Sequence, residues 1–327
     1  MHRRCRLPHV LIIPLVSLVA VLSSCDMFGA SRARTAFRGD SALAYAQAQV
    51  NFGPRVPGTD AARRAGDWIV AQMRKRADTV IVQQWTHVTL KGDSLPMRNV
   101  LARFKPALSQ RVLYITHWDT RPTADQEFNF GDRQRPIPGA NDGASGVGLF
   151  VALADVLKKT PPDVGVDLLF VDGEDYGSFD EYDAETGEGD VLIGSTYFAD
   201  HLPSADYKPM FGVLWDMIGD KDLNILQEQI SAEKAPEVVS RVWQTAKDLG
   251  YDKYFIPQVY GPITDDHVPL LKKGLRVIDV IDIDYGPLGP NGQANPNFHH
   301  TLQDTMDKIS AKSLQVVGDV AVTLVTK

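Results

Sequence analysis

The run VDLLFVDGEDYG, Val166 to Gly177, constrains this chain most: an apolar strand that delivers Asp172, Glu174 and Asp175 into four positions at its end. Each carboxylate carried to the mouth of a buried strand costs desolvation, and each repels the others. Either a positive charge sits among them or a proton is moved there.

Other runs follow the same plan. TVIVQQWTHV from Thr79, MRNVLARF from Met97, RVLYITHWD from Arg111, MFGVLWDMIGD from Met210 and LRVIDVIDID from Leu275 read as strands. Between them, TDAARRAGDWIVAQMRKR offers Thr59 as an N-cap with Ala61, Ala65, Trp68, Ile69 and Met73 on one helical face. DGASGVGLFVALADVLKK, with Asp142 near its start, APEVVSRVWQTAKDLG, DDHVPLLKKG and SLQVVGDVAVTLV supply further helices. Apolar strands alternating with helices predict an α/β fold, a single αβα three-layer sandwich with a mixed, mostly parallel central sheet. In such sheets the ligand site lies at the carboxyl ends of the strands, where the acids are.

The chain has 327 residues, which suits one large α/β domain. Its first segment places Arg3, Arg4 and Arg6 before an apolar run from Val10 to Leu22 and small residues before Cys25, the layout of an export signal. The apolar run is short for a membrane span of about 20 residues. LSSC, Leu22 to Cys25, is similar to a bacterial lipobox, in which Cys25 becomes the lipidated first residue; an ordinary signal peptide or an N-terminal anchor is the alternative. The expected organisation is a lipoprotein signal peptide over 1–24, a flexible tether over 25–40 and a catalytic domain over 41–327. The expected address is the bacterial cell envelope, as a periplasm-facing lipoprotein anchored through Cys25.

Cys5 and Cys25 are the only cysteines, so the mature body has no thiol nucleophile, thiolate metal site or disulfide. Removal of residues 1–24 takes three arginines and no acid, moving the formal charge from −7 to −10. That balance argues against nucleic acid as a partner, and a monomer is expected.

Several strands end in metal-competent residues. LYITHWD supplies His117 and Asp119, the opening run Glu174 and Asp175, and GVLWDMIGD Asp216; Asp142 follows IPGAN, and NFHHT places His299 and His300 beyond the last strand. Alone, an Asp ahead of a helix reads as a cap and a single His as a satisfied polar residue. Together they form an N/O donor set suited to zinc. His299, Trp118 and Phe179 are candidates to line the substrate, although Trp118 and Trp215 each read first as packing. Ser145 and Ser195 lack the pattern of a nucleophile elbow. The loop from Gly177 to Asp190 reads as a solvated acidic loop, with a structural cation or the steering of an ammonium terminus as its alternatives.

HWDTRP, PGANDGASGVG, GEDYG, LWDMIG, TDDHVP and HHTLQD occur in the order expected of the zinc-dependent aminopeptidase superfamily. From about Ser41 onward the chain most resembles its glutaminyl cyclases, of the animal type and their bacterial relatives. The resemblance implies an enzyme acting on peptide or protein N-termini, converting N-terminal glutamine to pyroglutamate with release of ammonia. It makes Asp142, Asp175 and His300 zinc ligands and Glu174 the general base, with His300 preferred to the neighbouring His299 because it directly precedes Thr301, as the family's ligand precedes Thr. Peptidases of the superfamily hold a second zinc at positions matching His117 and Asp216, with Asp142 bridging, whereas the cyclases keep those residues and use one zinc. The resemblance also makes Asp265, the first acid of TDDH, a partner of the catalytic Glu together with Asp216, where peptidases have Ser-Asp-His; a helix cap is its plain alternative. A di-zinc aminopeptidase and an inactive peptide-binding relative are the other readings. Three positions depart from the animal pattern: His299 replaces an indole, Asp279 replaces a histidine, and the second acid of the Glu pair is Asp175.

Overall fold

The computed structural model describes residue 2, residues 36–183 and residues 185–326. The expected signal peptide, apart from residue 2, and the lipidation site at Cys25 lie outside the described residues. A six-stranded sheet runs in the order β1, β2, β4, β3, β5, β8. Its strands are β1 (Thr79–Val88), β2 (Ser94–Phe104), β3 (Arg111–His117), β4 (Gly165–Val171), β5 (Phe211–Asp216) and β8 (Val277–Ile281). The hairpin β1–β2 and the pair β2–β4 are antiparallel, and β4–β3, β3–β5 and β5–β8 are parallel. The sheet is therefore mixed and parallel in its site-bearing half. β6 (Ile225–Gln227) and β7 (Phe255–Val259) form a separate parallel pair.

The helices are α1 (Gly39–Val50), α2 (Asp60–Arg74), α3 (Ala144–Lys159), α4 (Ile193–Asp200), α5 (Gln229–Lys234), α6 (Pro236–Asp248), α7 (His267–Lys272) and α8 (Ala311–Thr326). Alternation along the strands sorts them into two layers. Val112 and Tyr114 of β3, Leu168 and Phe170 of β4 and Val213 and Trp215 of β5 pack in one cluster with α1, α2, α3, α6 and α8. Leu113 and Ile115 of β3, Leu169 and Val171 of β4 and Leu214 of β5 pack in another with Phe198 of α4 and Leu270 of α7. His117 and Asp216 share the parity of this second set, which aims them at one region beyond the strand ends.

Two elements behave as their local chemistry dictates. Thr59 caps α2, its side chain accepting from the Ala62 amide. α3 lies against the sheet at Gly146, where a Cβ would overlap Thr116 Oγ1 and come 2.9 Å from the Trp215 carbonyl.

The tether boundary needs correction. Phe37 is buried in the core and α1 begins at Gly39, so ordered structure starts before residue 41. Phe37 packs on Gly318 of α8, an apolar contact that a short polar-looking stretch concealed. Among the described residues, no helix is long and apolar enough to cross a membrane.

Candidate metal centre and active site

Six chain segments, carrying His117, Asp142, Glu174 with Asp175, Asp216, Asp265 and His300, converge at the carboxyl ends of the parallel strands. Asp142 reaches the site from the turn before α3, whose N-cap is Gly143 and makes no side-chain cap bond, so Asp142 is not the cap. Its backbone is clamped instead: Asp304 accepts the Asn141 amide at 2.8 Å and the Asp142 amide at 3.2 Å, and also the Tyr285 hydroxyl. Fully buried Arg55 holds the same turn, donating to the carbonyls of Pro138 at 2.7 Å and Gly139 at 2.6 Å. Glu174 and Asp175 follow the left-handed Gly173 (φ 70°), and their amides donate to the two oxygens of Asp119 at 3.2 Å each. Met217 (φ 47°), next to Asp216, and His300 itself (φ 54°) also lie in the left-handed region that bulky residues rarely enter. Such backbone persists only where its surroundings hold it, and it concentrates at functional sites.

Two sets of donor atoms share Asp142. His117 Nε2 is 3.1 Å from Asp142 Oδ1 and 3.1 Å from Asp216 Oδ1. His300 Nε2 is 3.8 Å from Asp142 Oδ2 and 3.4 Å from Asp175 Oδ1. Among the described residues the compact donor group around His300 is Asp142, His299 and His300, so Asp175, predicted as a ligand, meets His300 but lies outside that group; His299 is half-buried, with its Nδ1 3.2 Å from Gln126 Nε2. The imidazoles and carboxylates suit a borderline cation such as zinc. Asp142 Oδ2 and Asp175 Oδ2 are buried without hydrogen-bond partners, which fits carboxylates able to bind a cation, while His117 Nδ1 faces Asp119 Oδ1 at 3.5 Å.

Charge is distributed unevenly. Burial opposes ionisation of Asp142, but His117 beside it, with His300 and His299, holds its carboxyl well below the usual range. Glu174 goes the other way. Burial, then Asp175, then Asp265 and Asp266 push it well above the usual range, with His117 opposing. Burial also raises Asp265, followed by the charges of Asp216 and Asp266.

A small cavity of about 130 Å³ opens onto these groups, lined by Asp142, Glu174, Phe179, Asp216, Asp265 and His300, with Ile263, Ile281 and His299 at its sides. Phe179 therefore meets the cavity. Trp118 does not, and its reading as a substrate contact is corrected: it follows His117 on the opposite face, is buried in the core, and donates its indole N–H to the Arg98 carbonyl at 3.2 Å. Trp215 is likewise core. Asp172 accepts the Arg98 amide at 2.9 Å and stays outside the cavity. Asp265 is not the cap of α7, a position taken by Asp266.

Arg121, Asp304 and Arg55 escaped the sequence reading. Arg121 lies inside HWDTRP, close to Asp119, and Arg55 inside NFGPRVPG, ahead of α2, so a cation beside the acids was the signal available for Arg121. Asp304, in HHTLQD, carries no local mark.

The model of peptidase family M28 matches residues 99–325. Aminopeptidase YwaD of Bacillus subtilis is 25% identical over 269 residues, 77% of this chain and 50% of that protein. The chain thus spans about half the length of this curated relative. Solved structures match over nearly their whole length. A Zn-dependent exopeptidase from Parabacteroides distasonis superposes with a TM-score of 0.82 at 34% identity, covering 90% of this chain and 100% of that one. The glutaminyl cyclase of Porphyromonas gingivalis superposes with a TM-score of 0.80 at 39% identity, covering 88% and 97%. A family match spanning most of the ordered domain, and donor residues gathered at the edge of the matching fold, lead to one statement: the chain belongs to peptidase family M28.

Proposed function

We propose that this chain is a zinc-dependent glutaminyl-peptide cyclotransferase, an acyltransferase that closes an N-terminal glutamine into pyroglutamate and releases ammonia. The observation that carries the reading is Asp265. It is buried, faces the cavity with Glu174, leaves one oxygen without a partner, and does not serve as a helix cap. Similarity to solved glutaminyl cyclases supports the same reading.

Asp142, Asp175 and His300 would hold one zinc. When bound, zinc polarises the γ-amide carbonyl and stabilises the oxyanion that develops there. The nucleophile is the substrate's own α-amine, so no side chain need attack. Glu174 takes a proton from that amine as the new bond to the amide carbon forms, and returns it to the γ-nitrogen, which departs as ammonia. A carboxylate raised by burial and by Asp175, Asp265 and Asp266 suits both transfers. His117, itself held by Asp216, braces Asp142 from the other side.

A di-zinc aminopeptidase is the second reading, favoured by the way Asp142 offers Oδ1 to His117 and Oδ2 to His300. Incubating zinc-loaded protein with a Gln-initiated and a Leu-initiated peptide, read by mass, separates the two. Loss of ammonia from the first with the second intact supports the cyclase; release of leucine overturns it. Export and lipid anchoring at Cys25 are proposed on the sequence of the first 25 residues alone.

A further inference from the structure

Phe128 and Phe130 are 95% and 77% exposed, although both are large apolar side chains. They sit on a braced loop. Ala124 N–H donates to the Arg135 carbonyl at 2.8 Å, Arg133 Nε to the Glu127 carbonyl at 2.7 Å, and the Leu302 amide to Glu127 Oε2 at 3.0 Å. The Arg133 guanidinium lies 4.1 Å from the centre of the Phe130 ring and supports one of its faces.

The same loop is bolted to the rim of the site. The Gln126 amide donates to the His300 carbonyl at 3.3 Å, and its side-chain nitrogen is 3.2 Å from His299 Nδ1. Phe128 lies two residues beyond Gln126, so their Cα atoms are at most about 7 Å apart. The cavity, about 130 Å³, is well below the roughly 300–1,000 Å³ of pockets that enclose a drug-sized ligand. It takes one terminal residue, and the rest of a polypeptide must leave across the rim.

We propose that Phe128 and Phe130 form a docking surface for apolar side chains just downstream of the substrate's N-terminal residue. The proposal deepens the cyclase reading and rests on it for the identity of the first residue. Rigid phenyl rings lose little conformational freedom on contact, and apolar area removed from water supplies the preference. The preference acts on the second and third substrate residues, not on the reacting residue itself.

The test separates docking from turnover. On zinc-loaded Glu174→Gln protein, fluorescence anisotropy compares peptides beginning Gln-Phe-Leu and Gln-Ser-Asn, with and without Phe128→Ser and Phe130→Ser. The first peptide is expected to bind about tenfold tighter, and the double substitution should equalise the two. With Glu174 intact, the double substitution should leave kcat/KM for glutamine amide unchanged. An affinity ratio that survives the double substitution overturns the proposal. So does an unchanged ratio accompanied by lost binding to phosphatidylglycerol vesicles, which would assign the rings to a lipid surface. Absence of ammonia release from every glutamine substrate removes the cyclase reading, and the anisotropy ratio still decides the docking surface.

Discussion

Nη1 of Arg121 lies 2.5 Å from Oδ1 of Asp175, with both side chains buried. The same guanidinium grips Asp125 through Nε and Nη2 at 2.9 Å each, and Asp125 faces His300 Nδ1 at 3.3 Å. One arginine thus braces two of the proposed ligands, Asp175 directly and His300 through Asp125. Groups that orient metal ligands in this way typically carry 10- to 100-fold in metal affinity or activity. Arg121→Ala should weaken zinc binding by about that factor in competition with a chromophoric chelator. Arg121→Lys should recover only part of the loss, because an ammonium cannot reproduce the fork between two carboxylates.

Glu174 is assigned the proton transfers and no metal bond. Glu174→Gln keeps the shape of the side chain and removes its basicity. Turnover of a Gln-initiated peptide should fall roughly 10²–10⁴-fold while zinc content measured on the purified protein stays at the wild-type level. Turnover retained at the wild-type rate would strip Glu174 of its role.

The α3 helix carries the turn that presents Asp142, and its seat on the sheet depends on Gly146. A methyl group there meets Thr116 Oγ1, Thr116 Cβ at 2.9 Å and the Trp215 carbonyl at 2.9 Å. The backbone oxygen cannot swing away, so the helix must shift. Gly146→Ala should cost about 1–3 kcal/mol of stability in urea titration, despite the better helix propensity of alanine. An unchanged midpoint would mean that the helix seat is softer than this packing implies.

Much of the sheet and the donor set was legible in the sequence because the relevant signals are local. Long apolar runs mark strands covered on both faces, and β3 and β5 end in residues that the site uses, His117 and Asp216. What stayed hidden depends on partners distant in sequence. Arg121 meets Asp175 across 54 positions, and Asp304 clamps the Asp142 amide across 162. The direction of Trp118 is set by strand parity, which places it opposite His117, but a strand end beside a site invited the other reading. The early start of the domain turned on Phe37, a lone aromatic in a polar stretch whose burial against α8 no nearby residue announces. β6 and β7 are too short for any periodicity to register.

Glu228 supplies a pH test away from the donor set. It caps α5 and is buried, with Oε1 accepting the Ile230 amide at 2.6 Å and the Ile263 amide at 3.1 Å. Oε2 accepts the Ser231 amide at 2.6 Å and lies 3.3 Å from His267 Nε2. Burial disfavours its charge, but His267 and Ser231 outweigh that and hold it down to about 2, against an ordinary 4.5. A carboxyl lowered in the folded state contributes stability that is complete above its unfolded value and lost as pH falls through the folded one. The window is therefore pH 4.5 down to about 2, and the amount at stake is roughly 3 kcal/mol. Glu228→Gln should be less stable than wild type at pH 7, and its unfolding free energy should vary less steeply across that window. Because Glu228 also ties down Ile263, two residues before Asp265, the substitution should slow turnover at pH 7 without releasing zinc. Parallel stability curves for the two proteins between pH 4.5 and 2 would show that the carboxylate is not held by these donors in the folded state.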